Sequence, residues 1–267
     1  MFSALSKIAA VDTHFHVFRA GMSQTGARYI PSYDAPLSAW QASALPLEVS
    51  RGVLVQTSFM GSDNTVLLAE LAEWPDQLRG VVVVAPDATL QTLQPLHEAG
   101  VRGIRLNLAG RPYELGRWSI ATALWDALAS LGWHLELHTD MGQLPEVLAQ
   151  LPGAIPLVMD HMGKPEAIGA NDPTVRALTA RALVSTVYIK LSGAYRLGGL
   201  DAGQLARLWL GELGADRLLW GSDWPCTNHE SQASYPALLG SLHEWLGDQA
   251  VINTVLSDNP QRLYWGR

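Results

Sequence analysis

Cysteine is nearly absent. The 267 residues carry one, Cys226, which excludes an internal disulfide framework and suits a reducing compartment. Positive charge is scarce as well: 18 Lys and Arg against 25 Asp and Glu leave a formal net charge of -7. No basic stripe of the kind that neutralises phosphates runs along the chain, so no nucleic-acid partner is expected. No apolar run is long enough to span a bilayer, and Met1-Phe2-Ser3-Ala4-Leu5-Ser6-Lys7-Ile8 lacks a basic region followed by a sustained apolar segment. The expectation is a cytoplasmic protein with no signal peptide and no membrane partner. Oligomeric state stays open, because no apolar stripe is long enough to mark an interface.

What is present starts with Val11-Asp12-Thr13-His14-Phe15-His16, where an apolar run ends in two histidines two residues apart. Successive strand residues point to opposite faces, so a regular strand would put Asp12, His14 and His16 on one side and Val11, Thr13 and Phe15 on the other. Two imidazoles on one wall suit a metal, an anion or a polarised water.

Further strand signals follow at a steady beat, at 52–57, 80–85, 103–108, 134–138, 156–160, 187–192 and 217–221, making eight with the first. Between them lie helical patterns at 65–74, 89–99, 120–131, 144–151, 174–184 and 204–213, several ending at a glycine suited to a helix C-cap, such as Gly100, Gly132 and Gly214. Helices at 234–246, 250–256 and 259–264 would cover the barrel after its last strand. Eightfold alternation predicts an α/β fold of the (β/α)8 TIM-barrel type, one domain over 1–267, with the weakly periodic 19–50 as a loop over the mouth. A doubly wound open sheet is the alternative, but no Gly-x-Gly-x-x-Gly follows the first strand.

In such a barrel, side chains at the strand C-termini converge on one mouth. Those ends supply His14 and His16, then Arg105 and Asn107, then His138, His161 and Asp223. Three histidines and a carboxylate (His14, His16, His138 and Asp223) are a usual zinc set, and a fourth histidine, His161, can orient water. Blander roles exist for each. His138 could be a core histidine, Asp160 a helix cap and Asp223 a turn carboxylate. His97, His134, His229 and His243 fall away from strand C-termini and are assigned structural or surface roles. Arg105, Arg111, Lys164 and Arg196 all fall at or just after strand ends in an acidic chain, which suits a small polycarboxylate, with Ser58, Asn64 and Tyr195 as neutral hydrogen-bonding groups. The competing role for Arg105 is an internal ion pair with Glu136 on the neighbouring strand. Trp224 beside Asp223 belongs at the pocket, and Cys226 has no base paired with it.

Asp12-Thr13-His14-Phe15-His16, His138, Asp160-His161 and Gly221-Ser222-Asp223-Trp224-Pro225 resemble the amidohydrolase superfamily. Gly52-Val53-Leu54-Val55-Gln56-Thr57-Ser58, Gly61-Ser62-Asp63-Asn64, Gly100-Val101-Arg102-Gly103-Ile104-Arg105-Leu106-Asn107 and Lys190-Leu191-Ser192-Gly193-Ala194-Tyr195-Arg196 narrow the resemblance to its small lactonases, the family of 2-pyrone-4,6-dicarboxylate lactonase. The resemblance runs over nearly the whole chain. It implies a catalytic centre built from the first-, fifth- and sixth-strand histidines and Asp223. Arg105 and Asn107 occupy the strand where binuclear members bridge two metals through Lys or Glu, so the resemblance implies at most one divalent ion, zinc or manganese, or a metal-independent centre.

The implied activity is opening of a lactone ring in a small anionic substrate such as 2-pyrone-4,6-dicarboxylate. Asp223 would move the proton, His161 would orient water or stabilise the oxyanion, and Arg105, Arg111 and Arg196 would hold carboxylates. Two other classes remain open: a metal-dependent decarboxylase of an aromatic or unsaturated acid, and a non-catalytic small-molecule-binding barrel.

Overall fold

The computed structural model describes residues 9–110 and 115–266, so Arg111 lies outside the described residues. Eight parallel strands, β1 (Ala10–Phe15), β2 (Val49–Val55), β3 (Leu78–Val82), β4 (Val101–Asn107), β5 (His134–His138), β6 (Leu157–Met159), β7 (Val187–Leu191) and β8 (Leu218–Trp220), lie in one sheet in chain order. Helices α1 (Leu37–Ala44), α2 (Thr65–Glu73), α3 (Leu90–Glu98), α4 (Gly116–Ser119), α5 (Thr122–Leu131), α6 (Leu144–Leu148), α7 (Pro173–Ala182) and α8 (Ala202–Leu213) fall between the strands. After β8 come α9 (Tyr235–Leu246) and α10 (Gln249–Asn253). This is the (β/α)8 barrel expected from the alternation. No helix among the described residues is long and apolar enough to cross a membrane.

Helix α1 falls inside the stretch drawn from the sequence as a loop. Its eight residues bury Leu37, Trp40 and Ala44, a stripe spaced three and four apart that is too short to stand out as a period.

Strand alternation sorts the side chains into two layers. In β5 Leu135 and Leu137 face the outer helices while His134, Glu136 and His138 face the barrel axis; in β7 Ile189 and Leu191 face out while Tyr188 and Lys190 face in. Val11, Val53, Val55, Val81, Val158, Leu219 and Tyr188 pack with Tyr264, from the C-terminal turn Gln261–Trp265, to fill one end of the barrel with apolar groups. Toward the strand C-termini that filling gives way to charge.

The first strand departs from regular alternation. Asp12 pairs with Gly52 and Phe15 with Leu54, so β1 spends three residues where β2 spends two. This bulge places Phe15 against Trp40 in the outer layer, with ring centroids 4.1 Å apart, and separates Asp12 from the two histidines. Asp12 therefore does not share a face with His14 and His16, as a regular strand would require.

Its carboxylate instead binds the outer shell to the seam. It accepts hydrogen bonds from Trp40 Nε1 (2.9 Å), Tyr235 Oη (3.0 Å), Ser222 Oγ (2.6 Å), Ser222 N (2.9 Å) and His14 N (3.2 Å). Just above, Asp223 N donates to His14 O and His16 N to Trp224 O, both at 2.8 Å, closing the sheet between β8 and β1. The seam needs glycine at 221, since a Cβ there would lie 2.5 Å from His14 Cβ. Replacing Asp12 by Ala strands five buried donors, and urea denaturation is expected to show a loss of about 3–5 kcal/mol.

Candidate active site

The innermost charged layer contains Glu136, Asp160, Arg105 and Lys190, all buried. Lys190 Nζ donates to Glu136 Oε2, and Arg105 donates to Asp160 Oδ2 from Nε (3.0 Å) and NH2 (2.8 Å) and to the Gln56 carbonyl from NH1 (3.2 Å). Two acids and two bases balance. Burial pushes the Glu136 carboxyl up, reinforced by Asp160 and opposed by Lys190 and Arg105. Burial pushes Asp160 the same way, but His14, Arg105 and Lys190 outweigh it and hold that carboxyl well below its usual range. His14 sits on this layer, its Nδ1 3.1 Å from both Asp160 Oδ1 and Lys190 Nζ, and burial lowers its pKa to about 3.

The next layer is the seam itself. Asp223 Oδ2 accepts from Tyr195 Oη and Arg196 Nε, both at 2.8 Å, so one carboxylate oxygen is held. The other, Oδ1, lies 3.4 Å from His16 Nε2 and 3.6 Å from His14 Nε2. Burial would raise the Asp223 carboxyl; Arg196 and His161 prevail and keep it well below the usual carboxylate range. His161 places Nδ1 3.0 Å from Ser192 Oγ, and its ring centroid is 5.2 Å from His14 and 4.7 Å from His138.

Strained backbone brings these groups together. His161 (φ 48°), Met162 (φ 57°), Lys164 (φ 48°) and Asp223 (φ 57°) occupy the left-handed region that favours glycine. Trp209 of α8 braces the first of these loops, its indole donating to Met162 O at 3.0 Å.

Above the seam opens a cavity of about 440 Å³. His16, His138, His161, Asp223, Arg105, Lys164, Tyr195, Arg196 and Ser58 line it, as the sequence predicts. Asn64 does not. It stands just before α2, its amide donating to Val83 O and Ser62 O and accepting from Val83 N.

Arg105 and Arg196, drawn from the sequence as groups that hold substrate carboxylates, reach the cavity already paired with Asp160 and Asp223. Glu136 is the more distant partner of Arg105, at 3.7 Å. Lys164 is different: no carboxylate among the described residues lies within ion-pair distance, and burial lowers its pKa.

Other wall residues were not drawn from the sequence. His229, assigned a structural or surface role, lies against Tyr195 with ring centroids 4.8 Å apart, and Arg28, Tyr29 and Thr57 also face the space, beside Asn107, which the sequence does place at the mouth. At the rim, Tyr29 Oη and Tyr33 Oη both donate to Glu230 Oε1 at 2.7 Å, and Asn228 N donates to the same oxygen at 3.1 Å. This clasp ties the segment after β1 to the loop after β8.

The donor set suits one divalent ion. His16 Nδ1 lies 2.7 Å from Val55 O, and a carbonyl only accepts, so Nδ1 carries hydrogen and the neutral ring turns the Nε2 lone pair toward Asp223 Oδ1. His14 Nε2 is buried with no hydrogen-bond partner and borders the same oxygen. His14, His16 and Asp223 thus offer three ligand atoms within 4.8 Å of one another, the number a catalytic zinc takes from its protein. His138 belongs neither to this group nor to the other ligand-spaced trio among the described residues, His14, Asp160 and His161. It stands edge-on to His161 with both ring nitrogens unpartnered, beyond the set to which the sequence assigned it.

Known proteins share this architecture. The family model described as Amidohydrolase matches residues 11–265. A 4-sulfomuconolactone hydrolase of Hydrogenophaga intermedia is 31% identical over 95% of this chain and 88% of its own length. A 2-pyrone-4,6-dicarboxylate hydrolase of Comamonas testosteroni is 31% identical over 96% of this chain and 90% of its own. A crystal structure of a probable 2-pyrone-4,6-dicarboxylic acid hydrolase from Acinetobacter baumannii, with citric acid bound, superposes with a TM-score of 0.85 at 31% identity, covering 97% of this chain and all of that one (100%).

The pairing of Arg196 with Asp223 carries a direct prediction. Arg196→Met removes a cation that favours the ionised carboxylate, so the Asp223 pKa is expected to rise by about 1–3. A carboxyl 13C NMR titration reads the change; an unmoved Asp223 resonance would remove Arg196 from its control.

Proposed function

The chain belongs to the amidohydrolase family, and from that premise we propose that it hydrolyses the ring ester of a small anionic lactone. The observation that carries this reading is the division of Asp223: one oxygen pinned by Tyr195 and Arg196, the other facing two imidazoles at the floor of an open cavity. Such a carboxylate is aimed at a proton and held ionised.

The Cys226 thiol is buried and pushed up to about 12, so water attacks the lactone carbonyl. Asp223 Oδ1 takes the proton of the attacking water, the carbonyl becomes a tetrahedral oxyanion, and on collapse the ring oxygen leaves and recovers that proton, giving an open-chain acid. His138 and His161 offer ring nitrogens to the oxyanion, in a site where their donors act without competition from bulk water. His14 and His16 flank Asp223 Oδ1, their Nε2 atoms 3.6 and 3.4 Å away. When a divalent ion is held by His14, His16 and Asp223, it adds Lewis-acid polarisation of the carbonyl or water.

The substrate's negative charge is assigned to Lys164. It is the half-buried cation of the wall that the described carboxylates leave without an ion pair, and a ligand anion would compensate it. The names of the two relatives support this class, since 4-sulfomuconolactone and 2-pyrone-4,6-dicarboxylate are both anionic lactones, and citric acid in the related structure is a tricarboxylate.

A pH-stat screen of pyrone, muconolactone and sugar lactones tests the reading, with acid released on ring opening as the positive result. Release of carbon dioxide with the ring intact would replace it by decarboxylation, and binding without turnover by a non-catalytic barrel. On the best substrate, Asp223→Asn is expected to lower kcat by about 10²–10⁴-fold. Lys164→Met should act mainly on KM, raising it about tenfold or more.

A further inference from the structure

One buried charge pair has no part in the steps above. Lys190 is fully buried on β7, its ammonium bonded to Glu136, 3.1 Å from His14 Nδ1 and 3.7 Å from Asp160 Oδ1. Buried ion pairs seldom stabilise a protein more than apolar groups of the same volume, so the placement of this one beneath His14 calls for another account.

The chemistry of the two neighbours of Nδ1 supplies it. An ammonium only donates, so its contact with Nδ1 uses that lone pair and leaves the neutral ring's proton on Nε2. Nε2 is the atom that faces Asp223 Oδ1 and would ligate an ion. A carboxylate only accepts, so the opposite arrangement, Nδ1–H toward Asp160 Oδ1 at 3.1 Å, would free the Nε2 lone pair. Asp160 Oδ1 is buried without a hydrogen-bond partner of its own and stands ready for that role.

We propose that Lys190 is a positioning residue that acts through His14: its hydrogen bond holds the imidazole in the Nε2–H form and so sets how tightly His14, His16 and Asp223 bind a divalent ion. Binding of an ion moves the ring proton from Nε2 to Nδ1 by exchange with solvent, with no change in the charge of the ring. Asp160 Oδ1 then accepts from Nδ1, and Lys190 keeps its bond to Glu136. Because ion binding and ring form are measured without substrate, the inference stands or falls independently of the lactone reading.

The test uses the full chain, stripped with chelator, and zinc alone as the probe. Competition against a chromophoric chelator gives the zinc affinity, and 15N NMR of labelled histidine gives the His14 tautomer. Wild type is expected as Nε2–H without zinc. Lys190→Met should turn the ring to Nδ1–H and bind zinc about tenfold tighter or more. The double variant Lys190→Met, Glu136→Gln removes both charges and should behave likewise; it carries the affinity test if the single variant fails to fold.

Zinc affinity unchanged in the folded variants, or a wild-type ring already in the Nδ1–H form, would overturn the proposal. Tightening in the single variant that vanishes in the double one would also overturn it, by assigning the effect to the removed positive charge instead of the hydrogen bond. A wild-type ring in the Nδ1–H form overturns the proposal even if neither variant folds.

Discussion

The fold and its chemistry depend on how the last strand meets the first. A (β/α)8 barrel must close somewhere, and here closure is made by the backbone of the functional residues, through Asp223 N to His14 O and His16 N to Trp224 O. The hydrogen bonds that shut the cylinder are therefore the ones that set the spacing of Asp223 from the two imidazoles. The Asp12 carboxylate locks the joint from outside through Ser222, Trp40 and Tyr235. A shift of the outer helices would be felt at the site through that one acid.

Beneath the joint, the barrel interior changes character over two or three layers of side chains. Valines and tyrosines fill one end, and the layer above holds paired charges that balance. Charges in such a position are costly to bury, and removing one partner would leave the other uncompensated. They give the histidine above them a polar floor that an apolar core could not provide. The price in backbone conformation is met at His161, Met162, Lys164 and Asp223, all held with positive φ by packing such as that of Trp209.

Much of this was legible in the chain. The beat of strands and helices gave the barrel, and the rule that strand C-termini share a mouth gathered His16, His138, His161 and Asp223 without reference to distance. What escaped is local. The bulge in β1 depends on pairing with β2, so its sequence could not show that Asp12 leaves the face of His14 and His16. Arg196 looked unpaired because its acid, Asp223, is remote in sequence. Lys190 occupies an inward position of β7 that strict alternation marks, yet a lysine inside a barrel runs against expectation unless its partners are known. His229 lies in an irregular loop, where no period assigns a direction to a side chain.

The tyrosine clasp on Glu230 divides the molecule into parts that can vary separately. Three donors from two loops meet at one oxygen near the surface, while the proton-handling groups are fastened to strands below. Substitutions in the clasped loops can redraw the doorway while the machinery underneath keeps its geometry. Descendants of one ancestral barrel could thus come to admit different molecules while sharing a single chemical step.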